Sequence, residues 1–191
     1  MRKVLVIVDP QNDFITGSLA VEGAKEKMEK LTEYLANNLY NEVMVTMDSH
    51  PIDHCSFIEN GGQWPSHCIA MTEGWDIPEH LQRLLDMYSM LEDVNVTFWG
   101  KGTESNKEEY SILENDDDGY DFRVYLEELD IQEGIEIHIC GIAGDYCVLQ
   151  TLKGLNQLFD NIVVLGDYIA SIDGGNKLIE YVFKNPNIEM R

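Results

Sequence analysis

Three residue types whose combination supports nucleophilic chemistry, a carboxylate, a lysine and a cysteine, stand at the ends of apolar runs in this chain. Asp9 follows Lys3 to Val8, Lys101 closes the run from Val94 to Gly100, and Cys147 lies just beyond Ile135 to Cys140. A second carboxylate, Asp48, follows Val43 to Met47. A cysteine in the first turn of a helix lies in the positive field of unpaired amides, which favours its thiolate, and the same amides can hold an oxyanion. Asp9 would accept the thiol proton and pass it to a leaving group, Cys147 would attack a carbonyl carbon, and Lys101 would stabilise the thiolate and hold Asp9. The ordinary alternatives are a buried structural cysteine, a helix-capping Asp9 and a solvated Lys101. Cys140, inside its strand, and Cys68 are read as structural.

A second constellation is Asp48-Ser49-His50-Pro51-Ile52-Asp53-His54, followed at a distance by His67. A carboxylate and neutral imidazoles suit Zn²⁺, Fe²⁺ or Mn²⁺, and an Asp-x-His pair leaving a strand can aim both side chains into one crevice. Surface histidines are the common alternative. Clustering beside a strand-end aspartate favours one divalent metal ion, the choice among zinc, iron and manganese staying open.

The elements that must position these residues can be read from periodicity. Apolar runs predict strands at Lys3 to Val8, Val43 to Met47, Val94 to Phe98, Ile135 to Ile139 and Ile162 to Leu165, with Ile188 to Met190 as a sixth. Helical spacing predicts helices over Ala24 to Asn38, Pro78 to Met90, Asp121 to Leu129, Tyr146 to Phe159 and Lys177 to Lys184. Alternating strands and helices predict an α/β fold, a doubly wound, Rossmann-like and mostly parallel sheet of five to six strands with helices on both faces. In such a sheet the carboxyl ends of the strands face one crevice, where distant residues converge. We expect residues 1–191 to form one domain.

Composition narrows the partners. Of 191 residues, 35 are acidic and 13 basic, a net charge of −22 that repels phosphate backbones and anionic membranes. Nucleic acid and membrane are therefore excluded as expected partners, leaving a small molecule, and helices on both sheet faces leave room for a homo-oligomer. The apolar run behind Met1 is too short for a signal-peptide core, which points to the cytoplasm. The cysteines at 55, 68, 140 and 147 form no CxxC pair and are expected to be free thiols. Glu114 to Asp118 lacks the alternating ligand spacing of a calcium loop and reads as a solvated loop.

Taken together, Val8-Asp9-Pro10-Gln11-Asn12-Asp13-Phe14, Asp48-x-His50, Trp64-Pro65-Ser66-His67-Cys68, Lys101-Gly102 and Gly141-Ile142-Ala143-Gly144-Asp145-Tyr146-Cys147-Val148 resemble the isochorismatase-like cysteine hydrolases. Within that superfamily the nearest resemblance is to the nicotinamidase (pyrazinamidase) group. The resemblance implies a catalytic triad of Asp9, Lys101 and Cys147, and metal ligation by Asp48, His50 and His67. His54 is a further candidate, a ligand in some members and placed behind the ligands in those with this His-Pro-x-x-His-x-Ser-Phe spacing. The resemblance also implies a cis peptide between Ile142 and Ala143, with the Ala143 and Cys147 amides forming an oxyanion hole. Phe14 and Trp64 match aromatic residues that sandwich a pyridine ring, and Tyr110 matches a tyrosine at the pocket mouth.

The implied activity is hydrolysis of nicotinamide to nicotinic acid and ammonia through a cysteine thioester, in NAD salvage. An alternative is another small amide or a carbamoyl substrate. Outside the enzymes, a metal-binding protein or a phosphate-receiver-like module would use some of these residues, but would leave Cys147 without a role. Two departures from the family pattern stand out. Gly144 occupies a position where threonine is usual, and Tyr146 is bulkier than some residues found beside the nucleophile.

Overall fold

The computed structural model describes residues 1–115 and 118–191. Asp116 and Asp117, at the centre of the acidic run expected to be a solvated loop, lie outside the described residues. Six strands form one wholly parallel sheet: β1 (Arg2–Val8), β2 (Glu42–Asp48), β3 (Asn95–Lys101), β4 (Ile135–Ile142), β5 (Ile162–Ala170) and β6 (Ile188–Met190). Their spatial order is β3-β2-β1-β4-β5-β6, so the sheet is doubly wound with its order reversing between β1 and β4.

The physical reason for this sheet lies in its central strands. Val4 to Val8 are fully buried, as are Val43, Met44 and Val45, because both faces are covered by helices. Each such side chain withdrawn from water stabilises the fold by about 1.5–3 kcal/mol.

The helices are α1 (Asn12–Ile15), α2 (Ala24–Asn37), α3 (Glu79–Tyr88), α4 (Asp118–Glu133), α5 (Cys147–Leu155) and α6 (Asn176–Lys184). Helical spacing puts Met28, Leu31, Tyr34 and Leu35 on one stripe of α2 and Leu81, Leu84, Leu85 and Tyr88 on one stripe of α3; all are buried except Tyr34 and Leu84, which are half-buried. α2 packs against β5 and α3 on one face. α4 and α5 lie against β3 and β4 on the other. α6 joins α5 through Asn156, whose amide donates to Tyr181 Oη at 3.2 Å.

Several boundaries differ from the periodicity reading. α1 was not expected, since a single turn has no period to detect. α5 begins at Cys147 and stops at Leu155, although Phe159 keeps helical spacing and is buried. β5 continues to Ala170, because β4 and β5 lose register between Ile139 and Gly141 and resume pairing at Ile169. The third strand extends to Lys101, and the register places Lys101 directly opposite Asp48.

Candidate active site

The carboxyl ends of β1, β2, β3 and β4 bring the chemically loaded residues together. Asp9 follows Val8, whose register partners are Thr46 on β2 and Gly141 on β4. Lys101, fully buried, forms an ion pair with Asp9 Oδ2 at 2.8 Å and donates to Asp48 Oδ1. Its Nζ lies 3.7 Å from Cys147 Sγ. Thr46 Oγ1 donates to the other Asp9 oxygen at 2.8 Å. Asp9 adopts a positive φ of 48°, a conformation costly for a residue with a side chain and retained where surrounding contacts enforce it.

Burial and charge set the protonation states. Burial raises the Asp9 pKa, and the nearby Lys101 ammonium only partly offsets this, so Asp9 is a stronger base than an ordinary carboxylate. Asp48 moves the other way: burial opposes its charge, but Lys101 and His50 more than reverse that and hold it ionised. Lys101 remains an ammonium because Asp48 and Asp9 outweigh its burial.

At Cys147 burial and the neighbouring carboxylates oppose the helix end and Lys101, which favour a thiolate. Burial pushes the thiol well above its ordinary pKa, Lys101 pulls it down, and Asp9 and Asp48 push it further up. The resting group is a thiol, so a base must take its proton at the moment of attack.

The peptide bond between Ile142 and Ala143 is cis, as the family resemblance implies. Ala143 carbonyl accepts from Tyr146 and Val148 amides, each at 3.1 Å. Among the described residues, no hydrogen bond engages the Ala143 or Cys147 amide, leaving both N–H groups for a ligand oxygen.

Beside this cluster, one oxygen or nitrogen each from Asp48, His50 and His67 lie within 4.8 Å of one another. His67, far off in sequence, is delivered by a short bridge between His50 and Ile69, where the His50 amide donates to Cys68 O at 3.1 Å and the Ala70 amide to His50 O at 3.0 Å. His50 Nδ1 donates to Gly102 O and His67 Nδ1 to Pro65 O, both at 2.8 Å, which leaves each Nε2 lone pair for a cation. Burial keeps His67 neutral, while Asp48, 3.6 Å from His50 Nε2, overcomes burial and raises the His50 pKa. One carboxylate oxygen and two oriented imidazole nitrogens fit a divalent cation of the zinc, iron or manganese type.

His54 is placed differently. Its Nδ1 bonds Ser56 Oγ at 2.7 Å and its Nε2 donates to Lys107 O at 2.9 Å, so both ring nitrogens are engaged within the protein. It stacks on His50 with ring centroids 3.9 Å apart. It therefore backs the trio and is not one of its members.

A cleft of about 410 Å³, part of it open to solvent, leads to these residues. Phe14, Trp64, Tyr110, Ala143 and Cys147 line it, as the family resemblance implies, together with Asp48 and His67. Tyr110 Oη accepts from Trp64 Nε1 at 3.2 Å, tying the two aromatic walls together.

Several contributors have no assigned role in the sequence reading. Glu108 and Ile172 line the cleft, but belong to loops with no pattern to mark them. Tyr146, noted in sequence only for its bulk, lines the cleft and meets Trp64 edge-on at 5.2 Å. Gln11 lies within a motif, yet its task appears only in three dimensions: Nε2 donates to Asp48 O and Oε1 accepts from Asp48 N, both at 2.8 Å.

The fold and site define a class of α/β enzymes in which a buried cysteine lines the cleft and a carboxylate–lysine pair lies buried beside it. The chain belongs to the isochorismatase family, the Isochorismatase domain model matching residues 3–179. It is 35% identical to the nicotinamidase/pyrazinamidase of Mycobacterium tuberculosis over 157 residues, 79% of this chain and 77% of the relative. The structure of PnC1 from L. infantum in complex with nicotinate superposes with a TM-score of 0.82 at 26% identity, covering 100% of this chain and 92% of that one. The pyrazinamidase of Pyrococcus horikoshii in complex with zinc gives a TM-score of 0.75 at 29% identity, covering 100% and 99%.

Proposed function

We propose that this protein is a metal-dependent amidohydrolase that converts nicotinamide to nicotinic acid and ammonia, serving NAD salvage in the cytoplasm, with residues 1–191 acting as one domain. The observation that carries this reading is Cys147, buried in the cleft lining beside the Asp9–Lys101 pair and two unengaged amides. The similarity to a nicotinamidase/pyrazinamidase and to a nicotinate complex supports the choice of substrate.

The chemistry follows from the side chains. Asp9 accepts the Cys147 thiol proton as sulfur attacks the carboxamide carbon, forming the carbon–sulfur bond. The negative charge gathering on the carbonyl oxygen is received by the Ala143 and Cys147 amides. Asp9 then gives its proton to the departing nitrogen, the carbon–nitrogen bond breaks, and ammonia leaves behind a thioester. Asp9 next takes a proton from water, whose oxygen attacks the thioester, and the proton returns to sulfur as nicotinic acid is freed. Lys101 keeps its charge throughout and fixes Asp9.

Asp48, His50 and His67 would hold one divalent ion, with zinc favoured by the zinc-bound relative and iron or manganese compatible with the same donors. When bound, the ion would supply a Lewis acid that orients the substrate through its ring nitrogen. Phe14 and Trp64 would hold the ring, with Tyr110 at the mouth.

The test is ammonia release from nicotinamide by the wild type and by Cys147→Ala, each with Zn²⁺, Fe²⁺ or Mn²⁺. Release by the wild type alone is expected. Silence from every sample sinks nicotinamide as the substrate and leaves other small amides, pyrazinamide first.

A further inference from the structure

We propose that Ser171 is a positioning residue for the loop carrying Ala143 and Cys147: its side chain fills the space that Gly144 leaves empty, and the two positions form one steric unit. This deepens the reading of that loop as the oxyanion-binding element and rests on it. The loop after β4 and the end of β5 are fastened on both sides of Ser171. Gly144 N donates to Ala170 O, and Ile172 N donates to Asp145 Oδ1, both at 2.8 Å.

Between these bonds the two loops are in close contact. A methyl group on Gly144 would lie 2.0 Å from Ser171 Oγ, 3.3 Å from Ser171 Cβ and 2.7 Å from Ile169 Cγ2. The φ of Gly144 is outside the left-handed region, so the backbone does not demand glycine there. The side chains opposite do, Ser171 nearest and Ile169 next. The slip in β4–β5 pairing carries the end of β5 to the height of this loop.

The consequence for chemistry follows from glycine itself. A glycine beside the oxyanion donors leaves this loop freer to shift, and the Ala143 and Cys147 amides shift with it. Ser171, packed against it, supplies from a neighbouring strand the restraint that a side chain at 144 would supply locally. Because the oxyanion exists only on the way to the transition state, loosening this restraint acts on kcat more than on KM.

Gly144→Thr, Ser171→Gly and the double variant test the pairing, with kcat and KM for nicotinamide and the melting temperature measured for each. Ser171→Gly is expected to lower kcat about tenfold with KM within about twofold, part of the loss seen when one oxyanion donor is removed outright. Gly144→Thr is expected to lower kcat on the order of a hundredfold and to lower Tm. The double variant recovers part of the Gly144→Thr loss in both quantities, since the contact with Ile169 Cγ2 remains. A double variant no better than Gly144→Thr, a Gly144→Thr enzyme that behaves as wild type, or a Ser171→Gly enzyme with unchanged kcat overturns the proposal. Gly144→Ala replaces the threonine variant if the latter does not fold. If the wild type is inactive on nicotinamide, the substrate reading falls alone, and the Tm values still decide the pairing: recovery in the double variant supports it and additive losses overturn it.

Discussion

Lys101 is the residue on which the site's electrostatics turn. It is a fully buried cation between two fully or nearly fully buried carboxylates, Asp9 and Asp48. Lys101→Met would leave Asp9 buried without a counter-charge and Asp48 with His50 alone, so a loss of about 3–5 kcal/mol in urea unfolding is expected together with loss of activity. A stability within error of wild type would show that the ion pair is not what holds this end of the sheet. Cys147 carries a second expectation, which concerns the metal-free protein. Since burial raises its pKa well above the ordinary value of 9.0, the thiolate fraction is small at neutral pH and grows as pH rises through and beyond 9.0. Iodoacetamide labelling of Cys147, followed by peptide mass spectrometry, should accelerate across that range. A plateau below pH 8 would instead mean a low-pKa thiolate at rest.

At the scale of elements, the strand ends are aligned by clamps that contain no catalytic atom. Gln11 grips the backbone of Asp48 through two hydrogen bonds, fixing the end of β2 to the turn after β1. Gln11→Met keeps the volume and removes the clamp. Zinc affinity measured by competition with a chromogenic chelator should fall about 10- to 100-fold, and an unchanged affinity would reduce Gln11 to a core residue. The turn after β3 does similar work: Gly102 has φ +62° and a side chain there would meet the His50 ring at 2.4 Å, so this residue must be glycine for His50 to reach its place.

Further from the cleft, His138 on β4 accepts from Tyr40 Oη at 2.6 Å and donates to Glu136 at 2.8 Å. Burial lowers its pKa below the ordinary 6.5, with Glu136 opposing. The sign follows from linkage: a histidine held neutral in the fold contributes stability above the unfolded pKa and loses it as pH falls below about 6.5, because the unfolded chain then binds the extra proton. The stability advantage of wild type over His138→Gln should therefore shrink between pH 6.5 and pH 5, and a gap that widens on acidification would contradict the assignment.

For the whole molecule, the site links metal binding to folding, since Asp48, His50 and His67 are brought together only by the assembled sheet and its loops. Zinc at about a hundred times its dissociation constant should add about 2.7 kcal/mol, which for a chain of this size raises Tm by roughly 5–10 °C. The rise should vanish on chelation and in His67→Ala. A rise that persists in that variant would place the stabilising ion elsewhere. The net charge of −22 bears on partners in the same way: it disfavours polyanions, and among the described residues no helix is long and apolar enough to cross a membrane.

Much of this was determined by sequence alone. Buried parallel strands must be continuous apolar runs, and amphipathic helices must repeat at their own period, so the order of elements was written locally. Asp9, Asp48, Lys101 and Cys147 stand at strand ends, and the rule that strand carboxyl ends share a crevice was sufficient to draw them together. The tertiary structure decided what depends on register and on distance. Lys101 opposite Asp48 is a fact of pairing, invisible in a single strand. The protonated state of Cys147, the tautomers of His50 and His67, and the engagement of both His54 nitrogens depend on which carbonyls and charges come within a few ångströms. Glu108, Ile172 and Ser171 lie in loops without periodicity, and only the closed fold shows what each of them faces.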